Sequence, residues 1–189
     1  MERHSEVIAA VVDDWRHIDA LVGDNAPFAR VTMGAALDLL DHDPRVVEHV
    51  DPGFRRLTRL GERRLIERYG GFVWVTEPDH LSVPFYQAFV NGTRSRALAA
   101  DLLFGVGEVV GAGQRHDTAV QLTQAIEMHG VDPEPYEWYI AMRERFPSVT
   151  SGFGLGTERY VCWLLNRNDV HDCQLPLQPR SIAPCHEHT

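Results

Sequence analysis

Apolar residues recur at three- and four-residue steps in several stretches of the chain, which is the spacing of one buried helix face. This spacing predicts helices over residues 6–22, 32–40, 54–69, 118–129, 135–146 and 157–166. Thr32 and Thr157 are residue types that cap helix N-termini, and Gly70-Gly71 is expected to end the helix over 54–69.

Between the helices, segments rich in aromatic and β-branched residues predict strands. The predicted strand segments are 72–76, 84–90, 95–104 and 106–115, with Asn91-Gly92 as a turn. Residues 41–51 are polar and are expected to form turns. The predicted fold class is α+β, with an antiparallel sheet flanked by helices.

Composition supports one folded domain, because 44% of the 189 residues are hydrophobic and 24% are charged. We expect a single domain over 1–180, with 1–26 as a helical N-terminal extension and 181–189 as a loose tail. The sequence contains no run of about 20 apolar residues, the length that a membrane helix needs. No membrane span is therefore expected, and the expected location is the cytoplasm.

The charge balance limits the partners and the chemistry. The formal net charge is −9, so bulk electrostatic binding of nucleic acid is not expected. All 18 basic residues are arginines. The absence of lysine excludes Schiff-base catalysis and the lysine of a P-loop.

A glycine-rich segment, SGFGLGTERY over 151–160, is the first candidate for a site. Gly152, Gly154 and Gly156 stand at alternate positions and leave one face of a strand bare, so a flat ring could approach the backbone. Arg159 would follow in the first turn of a helix, where a guanidinium can hold phosphate or stack on a ring. The alternative is a purely structural strand-to-helix turn.

The segment from Asp101 to Arg115 is the second candidate. Glu108 lies seven residues from each of these ends, and odd separations in a regular strand point to opposite faces. The three side chains can therefore lie on the same face only if the strand contains a bulge near the glycines. A carboxylate such as Glu108 suits Mg²⁺ with nucleotide phosphates, and Arg115 suits a carboxylate or amide oxygen. The alternative is a surface ion pair on an edge strand.

The segment SGFGLGTERYVCWLLNRNDVHD resembles the third signature motif of the class II aminoacyl-tRNA synthetases. The blocks FVWVTEPD, PFYQAF, ADLLFGVGEVVGAGQRHD and YEWYIAMRERF are similar, in this order, to the asparaginyl and aspartyl subgroup. The resemblance covers residues 27–180, and GEVVGAGQR and YEWYIAMR favour the asparaginyl type.

The resemblance implies a partial class II catalytic fold that activates an amino acid of the Asp or Asn type with ATP and Mg²⁺. An aminoacyl adenylate would form. The implied catalytic residues are Arg159, which would hold the γ-phosphate, and Glu108, which would bind Mg²⁺ and ATP. Gly154 and Gly156 would make room for the nucleotide. Arg115 and Gly152 would bind the amino acid.

The chain also departs from the family pattern, with Gly113 for a serine, Thr150 for a histidine and His171 for an arginine. It is similar to the C-terminal half of a catalytic domain, without the anticodon-binding domain and the first two motifs. A homodimer or a partner chain is therefore expected to cover an exposed sheet edge, and tRNA binding is not expected.

Three hypotheses for function follow from these features. The chain, alone or with a partner, is an ATP-dependent ligase with a small amine or carrier as acceptor. Alternatively, it is a catalytically inactive ligand-binding or regulatory paralogue. The third hypothesis is an interaction protein that has no small-molecule site.

Overall fold

The computed structural model describes Val12 and residues 16–18, 28–40, 43–51 and 53–173. The predicted helix over 6–22 and the expected tail over 181–189 therefore lie outside the described residues, except for Val12 and 16–18. The elements are β1 (Ala29–Thr32), α1 (Met33–Leu39), β2 (Val47–Val50), β3 (Phe54–Leu57), α2 (Arg59–Arg68), β4 (Phe72–Thr76), β5 (Ala99–Phe104), β6 (Gly107–Gln114), α3 (Ala119–Met128), α4 (Glu137–Arg145), β7 (Ser151–Leu155) and α5 (Thr157–Leu164).

A five-stranded sheet in the order β1-β4-β5-β6-β7 organises the molecule. All its neighbouring strands are antiparallel except β1, which runs parallel to β4. Strands β2 and β3 form a separate antiparallel pair. The predicted α+β class, with a mostly antiparallel sheet flanked by helices, is confirmed.

Local capping explains where several helices begin and end. Thr32 caps α1 as predicted, because its hydroxyl accepts a hydrogen bond from the Ala35 amide at 3.2 Å. Gly70 and Gly71 end α2 with φ angles of 72° and 118°, which glycine adopts without strain. The predicted cap at Thr157 is wrong, because Gly156 occupies the N-cap position and no side chain caps α5.

The prediction of a single helix over 54–69 is also wrong for its first four residues. Residues 54–57 form β3 and pair with β2, so the turn expected over 41–51 contains a strand. Arg56 donates to Glu48 on the neighbouring strand at 2.8 Å, and the Arg55 amide donates to the Asp79 carboxylate at 2.8 Å. The pairing with β2 and the contact with Asp79 override the helical spacing.

The strand predictions hold best in the centre of the sheet. The segment 72–76 is β4 as predicted, and the segment 106–115 contains β6. The strand predicted over 95–104 begins only at Ala99. The segment 84–90 forms isolated bridges at Gln87 and Phe89 instead of a strand.

Apolar packing covers the two sides of the sheet differently. On one side, α1 and α2 pack on β1, β4 and β5 through a cluster that includes Leu37, Leu65 and Val73. On the other side, Trp163 of α5 packs on Phe104 at a ring-centroid distance of 5.2 Å. Helices α3 and α4 pack on the segment 80–90 at one end of the sheet. On the side of α1 and α2, helix α2 reaches the start of β6 at Gly107, while the apolar cluster contains no described residue of β6 or β7.

We expect Gly61→Ala to destabilise the fold by about 1–3 kcal/mol, because a methyl group at this buried α2 position would overlap the backbone carbonyl of Val46. Gly34→Ala in α1 is the matched control, since the atom nearest to its added methyl group would lie 4.0 Å away. This control should be neutral or slightly stabilising. Urea unfolding of both variants measures the difference, and equal stability would contradict the close approach.

Candidate functional site

Four glycines form the floor of the candidate site. Gly111 pairs with Gly154, and Gly113 pairs with Gly152, so all four lie on one side of β6 and β7. We call this side the cleft face. A Cβ atom at Gly154 would meet nothing within 4 Å. At the other three positions a Cβ atom would meet a side chain, which is Glu108 at Gly111, Gln87 at Gly113 and Arg115 at Gly152. Of the four glycines, Gly154 is therefore the one whose backbone a flat group can approach closely.

A β-bulge brings Glu108 to the cleft face. Leu102 pairs with Val110, and Leu103 pairs with Glu108, so Val109 is an extra residue in β6. The bulge reverses the alternation, and the Glu108 carboxylate comes to lie 3.1 Å from the Cβ position of Gly111. The bulge that convergence requires is thus present.

Three carboxyl groups meet at one end of the cleft face. Asp101 of β5 lies beside Glu108, since its Oδ1 is 3.5 Å from the same Gly111 Cβ position. Burial and the charges of Glu108 and Glu62 raise the pKa of Asp101 to about 7. Burial also raises the pKa of Glu62 on α2. This end of the cleft therefore favours a cation or a proton.

Arg159 borders the same end. Its Nη1 donates to the backbone carbonyl of Glu108, while the rest of the side chain is exposed. The cleft here has a volume of about 670 Å³. Its lining residues are Glu108, Val109, Gly111, Gly154, Leu155, Gly156, Glu158, Arg159 and Val170. Four of the predicted site residues, Glu108, Gly154, Gly156 and Arg159, thus line one cavity.

Arg115 lies at the other end of the glycine floor. Its Nη1 donates to Gln87 Oε1 at 2.5 Å, and its Cζ lies 4.7 Å from the ring centroid of Tyr86. Its Nη2 is 3.2 Å from the position that a Cβ atom would take on Gly152. The structure therefore brings together Arg115 and Gly152, the two residues that the resemblance assigns to the amino acid.

Sequence reasoning left three polar residues of this face without a role. The sequence indicates Asp101 only through its position seven residues before Glu108. Glu62 and Gln87 come from α2 and from the loop after β4, where no local pattern indicates a site. Their positions depend on tertiary packing.

Carboxylate oxygens suit Mg²⁺, which proteins bind with one or two carboxylates while phosphates and water complete the shell. Asp101 and Glu108 fit this description. Within the described residues, no group of three His, Cys, Asp or Glu side chains could hold a metal ion by itself. In the same part of the chain, no helix is long and apolar enough to span a bilayer.

A family model described as tRNA synthetases class II (D, K and N) matches residues 1–176 of the chain. The chain therefore belongs to this family, which confirms the resemblance noted in its motifs. The asparagine–tRNA ligase of Pyrococcus horikoshii is 34% identical over 172 residues, which are 88% of this chain and 38% of the ligase. That of Thermococcus kodakarensis is 33% identical over 190 residues, 97% of this chain and 43% of the ligase.

Solved structures agree with this assignment. Pyrococcus horikoshii asparaginyl-tRNA synthetase complexed with asparaginyl-adenylate matches with a TM-score of 0.78 and 30% identity, over 92% of this chain and 39% of the synthetase. The Entamoeba histolytica enzyme in complex with asparaginyl-adenylate matches with a TM-score of 0.75 and 26% identity, over 90% and 38%. The chain thus spans about two fifths of the length of these relatives.

The raised pKa of Asp101 predicts a specific pH dependence of stability. Between about pH 4 and pH 7 the folded chain holds a proton here that the unfolded chain has released, so stability falls as the pH rises through this window. Asp101→Asn keeps a neutral side chain of similar shape. At pH 8 the variant should be more stable than the wild type by about 1–3 kcal/mol, since one pKa unit corresponds to about 1.4 kcal/mol.

Urea unfolding from pH 5 to pH 8 measures this difference, which should grow with pH. Asp51→Asn, at an exposed carboxylate, is the control and should show no such growth. A pH-independent difference for Asp101→Asn would contradict a protonated carboxyl group in the cleft.

Proposed function

We propose that the chain binds ATP and an amino acid of the Asp or Asn type on the cleft face and joins them into an aminoacyl adenylate. The observation that carries this proposal is the distribution of charge along the glycine floor. Carboxylates and Arg159 lie at one end, Arg115 lies at the other, and Gly154 leaves the backbone open beside the carboxylates. The relatives described as complexes with asparaginyl-adenylate support the same ligand class.

The nucleotide would lie at the end that carries Arg159 and Glu108. The Arg159 guanidinium would hold the γ-phosphate, since charge-assisted hydrogen bonds to phosphate are strong. Gly154 and Gly156 would leave room for the adenine ring. Asp101 and Glu108 would hold Mg²⁺, which when bound would neutralise charge on the phosphates.

The amino acid would lie at the Arg115 end. Its side-chain carboxylate or amide oxygen would accept from the guanidinium, and Gly152 would give the group access to Nη2. The two substrates would then lie along one floor in the order that the reaction needs.

The chemical step would be attack by an oxygen of the amino acid α-carboxylate on the α-phosphorus of ATP. A bond forms between this oxygen and phosphorus, the bond between phosphorus and the α,β-bridging oxygen breaks, and pyrophosphate leaves with the bonding electrons. No proton moves and no protein nucleophile is needed. The chain would contribute position and charge neutralisation, which account for large parts of the catalysis of such transfers.

The acceptor of the activated acid would be a small amine or a carrier, or the chain would act together with a partner chain. The outer edge of β7 supports a partner, because within the described strands β7 pairs only with β6. The Phe153 side chain, which lies opposite the cleft face, is 77% exposed. An uncharged strand with a free edge is a template for pairing with another strand.

The mass in solution tests whether the partner at β7 is a second copy. Light scattering should give twice the chain mass of 21.4 kDa, and Phe153→Glu should return the protein to 21.4 kDa by placing a charge at the contact. A monomer that is unaffected by Phe153→Glu would contradict the homodimer and leave the partner chain as the occupant.

Calorimetric titration with ATP and Mg²⁺ tests the nucleotide end. We expect Arg159→Ala to weaken binding at least ten-fold, because a hydrogen bond to a charged group contributes about 1.5–3 kcal/mol. Glu108→Gln should remove most of the Mg²⁺ dependence. Arg63→Ala, at an exposed arginine of α2, is the matched control and should bind as the wild type does.

Exchange of pyrophosphate into ATP, with Asp or Asn present, tests the chemical step. Exchange above background that depends on the amino acid is the expected result. Binding of ATP without exchange, with any partner supplied, would contradict adenylate formation and support the ligand-binding paralogue.

A further inference from the structure

Gln87 is the side chain that accepts a hydrogen bond from Arg115 on the cleft face. It belongs to the loop after β4, is 9% exposed, and accepts a hydrogen bond from Arg115 Nη1 at 2.5 Å. Its backbone also forms an antiparallel bridge with Arg115. The side chain and the backbone of Gln87 thus both contact Arg115.

The backbone of Gln87 is held by the buried His80, which in turn contacts the half-buried His129. His80 Nε2 lies 2.8 Å from the Gln87 carbonyl oxygen, and His80 Nδ1 lies 2.9 Å from His129 Nε2. Burial lowers the pKa of His80, so its ring is neutral near pH 7. The tautomer that satisfies both contacts has Nε2 donating to Gln87 and Nδ1 accepting from His129.

Gly113 provides the space for the Gln87 amide. A methyl group at Gly113 would overlap Gln87 Oε1 and would lie 2.8 Å from its Cδ. The amide therefore lies flat on the backbone of β6, on the cleft face. Any larger residue at position 113 displaces the amide from Arg115.

Neutral groups alone fix the Arg115 guanidinium in the described part of the chain. Its partners are the Gln87 oxygen and the Tyr86 ring, and no described carboxylate forms an ion pair with it. The positive charge of Arg115 is thus oriented but not neutralised. A site of this kind matches an anion.

The orientation of the Gln87 amide adds to this preference. Because Oε1 faces Arg115, the other amide atom is the NH₂ group, which only donates hydrogen bonds. The end of the cleft therefore presents donors from both Arg115 and Gln87. The side-chain carboxylate of aspartate can accept hydrogen bonds from both donors. The NH₂ group of asparagine is itself a donor and would find no acceptor there.

We infer that Gln87 fixes Arg115 for a substrate whose side chain ends in a carboxylate, so that the cleft prefers an aspartate-type acid to asparagine. This inference rests on the proposed function, since it concerns the amino acid that the proposed site takes. Gln87 is a specificity-determining residue in this arrangement, and Gly113 is its structural counterpart.

Calorimetric titration with L-aspartate and L-asparagine tests the inference, with Mg²⁺ and an α,β-methylene ATP analogue present. The wild type should bind aspartate at least about ten-fold more tightly than asparagine, because an amide NH₂ left without an acceptor is costly in a buried site. Equal binding, or tighter binding of asparagine, would overturn the inference.

Variants identify the residue responsible. Gln87→Glu replaces one amide group by a carboxylate that pairs with Arg115, so aspartate affinity should fall at least ten-fold and the preference should vanish or reverse. Gln87→Leu and Gly113→Ala should both reduce the preference, the second by displacing the amide. Gln114→Leu makes the same change as Gln87→Leu on the opposite side of β6 and should leave the ratio of the two affinities unchanged.

Thermal unfolding of each variant shows whether it is folded, and Gly113→Ala guards against a misfolded Gln87 variant because it leaves Gln87 in place. An unchanged preference in Gln87→Leu and Gly113→Ala would overturn the role of Gln87. Binding of the ATP analogue is measured separately. Equal binding of the two amino acids, or tighter binding of asparagine, overturns this inference alone, whereas failure to bind the analogue or to bind either amino acid contradicts the proposed function itself.

Discussion

The pairing of β5, β6 and β7 is the constraint on which the site depends, and one extra residue in β6 controls it. Val109 shifts the register, so that Glu108 joins the glycines on the cleft face. In a regular strand Glu108 would point towards α5 instead. The bulge thus places Glu108 on the cleft face and leaves one irregular pair in the sheet. Bulges of this kind are common beside active sites.

Carboxyl groups at one end of the glycine floor and a guanidinium at the other give the cleft its polarity. The carboxyl groups of Asp101 and Glu108 lie at the end where α2 brings Glu62, while Arg115 lies where the loop after β4 brings Gln87. Neither end is neutralised by a direct ion pair within the described residues. Folding therefore maintains half-buried ionisable groups that have no ion-pair partner, an arrangement that costs stability and is typical of binding sites.

The sequence predicts most of the helices and central strands because their signals are local. Apolar spacing and Thr32 define α1, and Gly70-Gly71 defines the end of α2. The failure at 54–57 has a physical reason, since those residues pair with a strand that the sequence shows only as a polar segment. The backbone partner lies in the segment directly before, and its polar residues do not reveal it as a strand.

The residues of the candidate site also fall into those with a local sequence signal and those placed only by tertiary contacts. Residues within the two glycine-rich segments could be identified from spacing and resemblance, and the structure brings them together, although their roles stay predictions. Gln87 and Glu62 could not be identified, because each acts across a tertiary contact with a glycine whose missing side chain makes room for it. Such pairs are visible only once the fold places the two segments in contact.

The hydrogen-bonded histidines have a further consequence for the motion of the domain. His129 caps the end of α3 and is half-buried, so the chain of contacts from the Gln87 carbonyl through His80 ends close to solvent. Fraying of the last turn of α3 would break the contact with His80 and release the loop that carries Gln87. Ligand binding and the local opening of a helix some distance from the cleft are therefore coupled, and an occupied site would slow hydrogen exchange in α3.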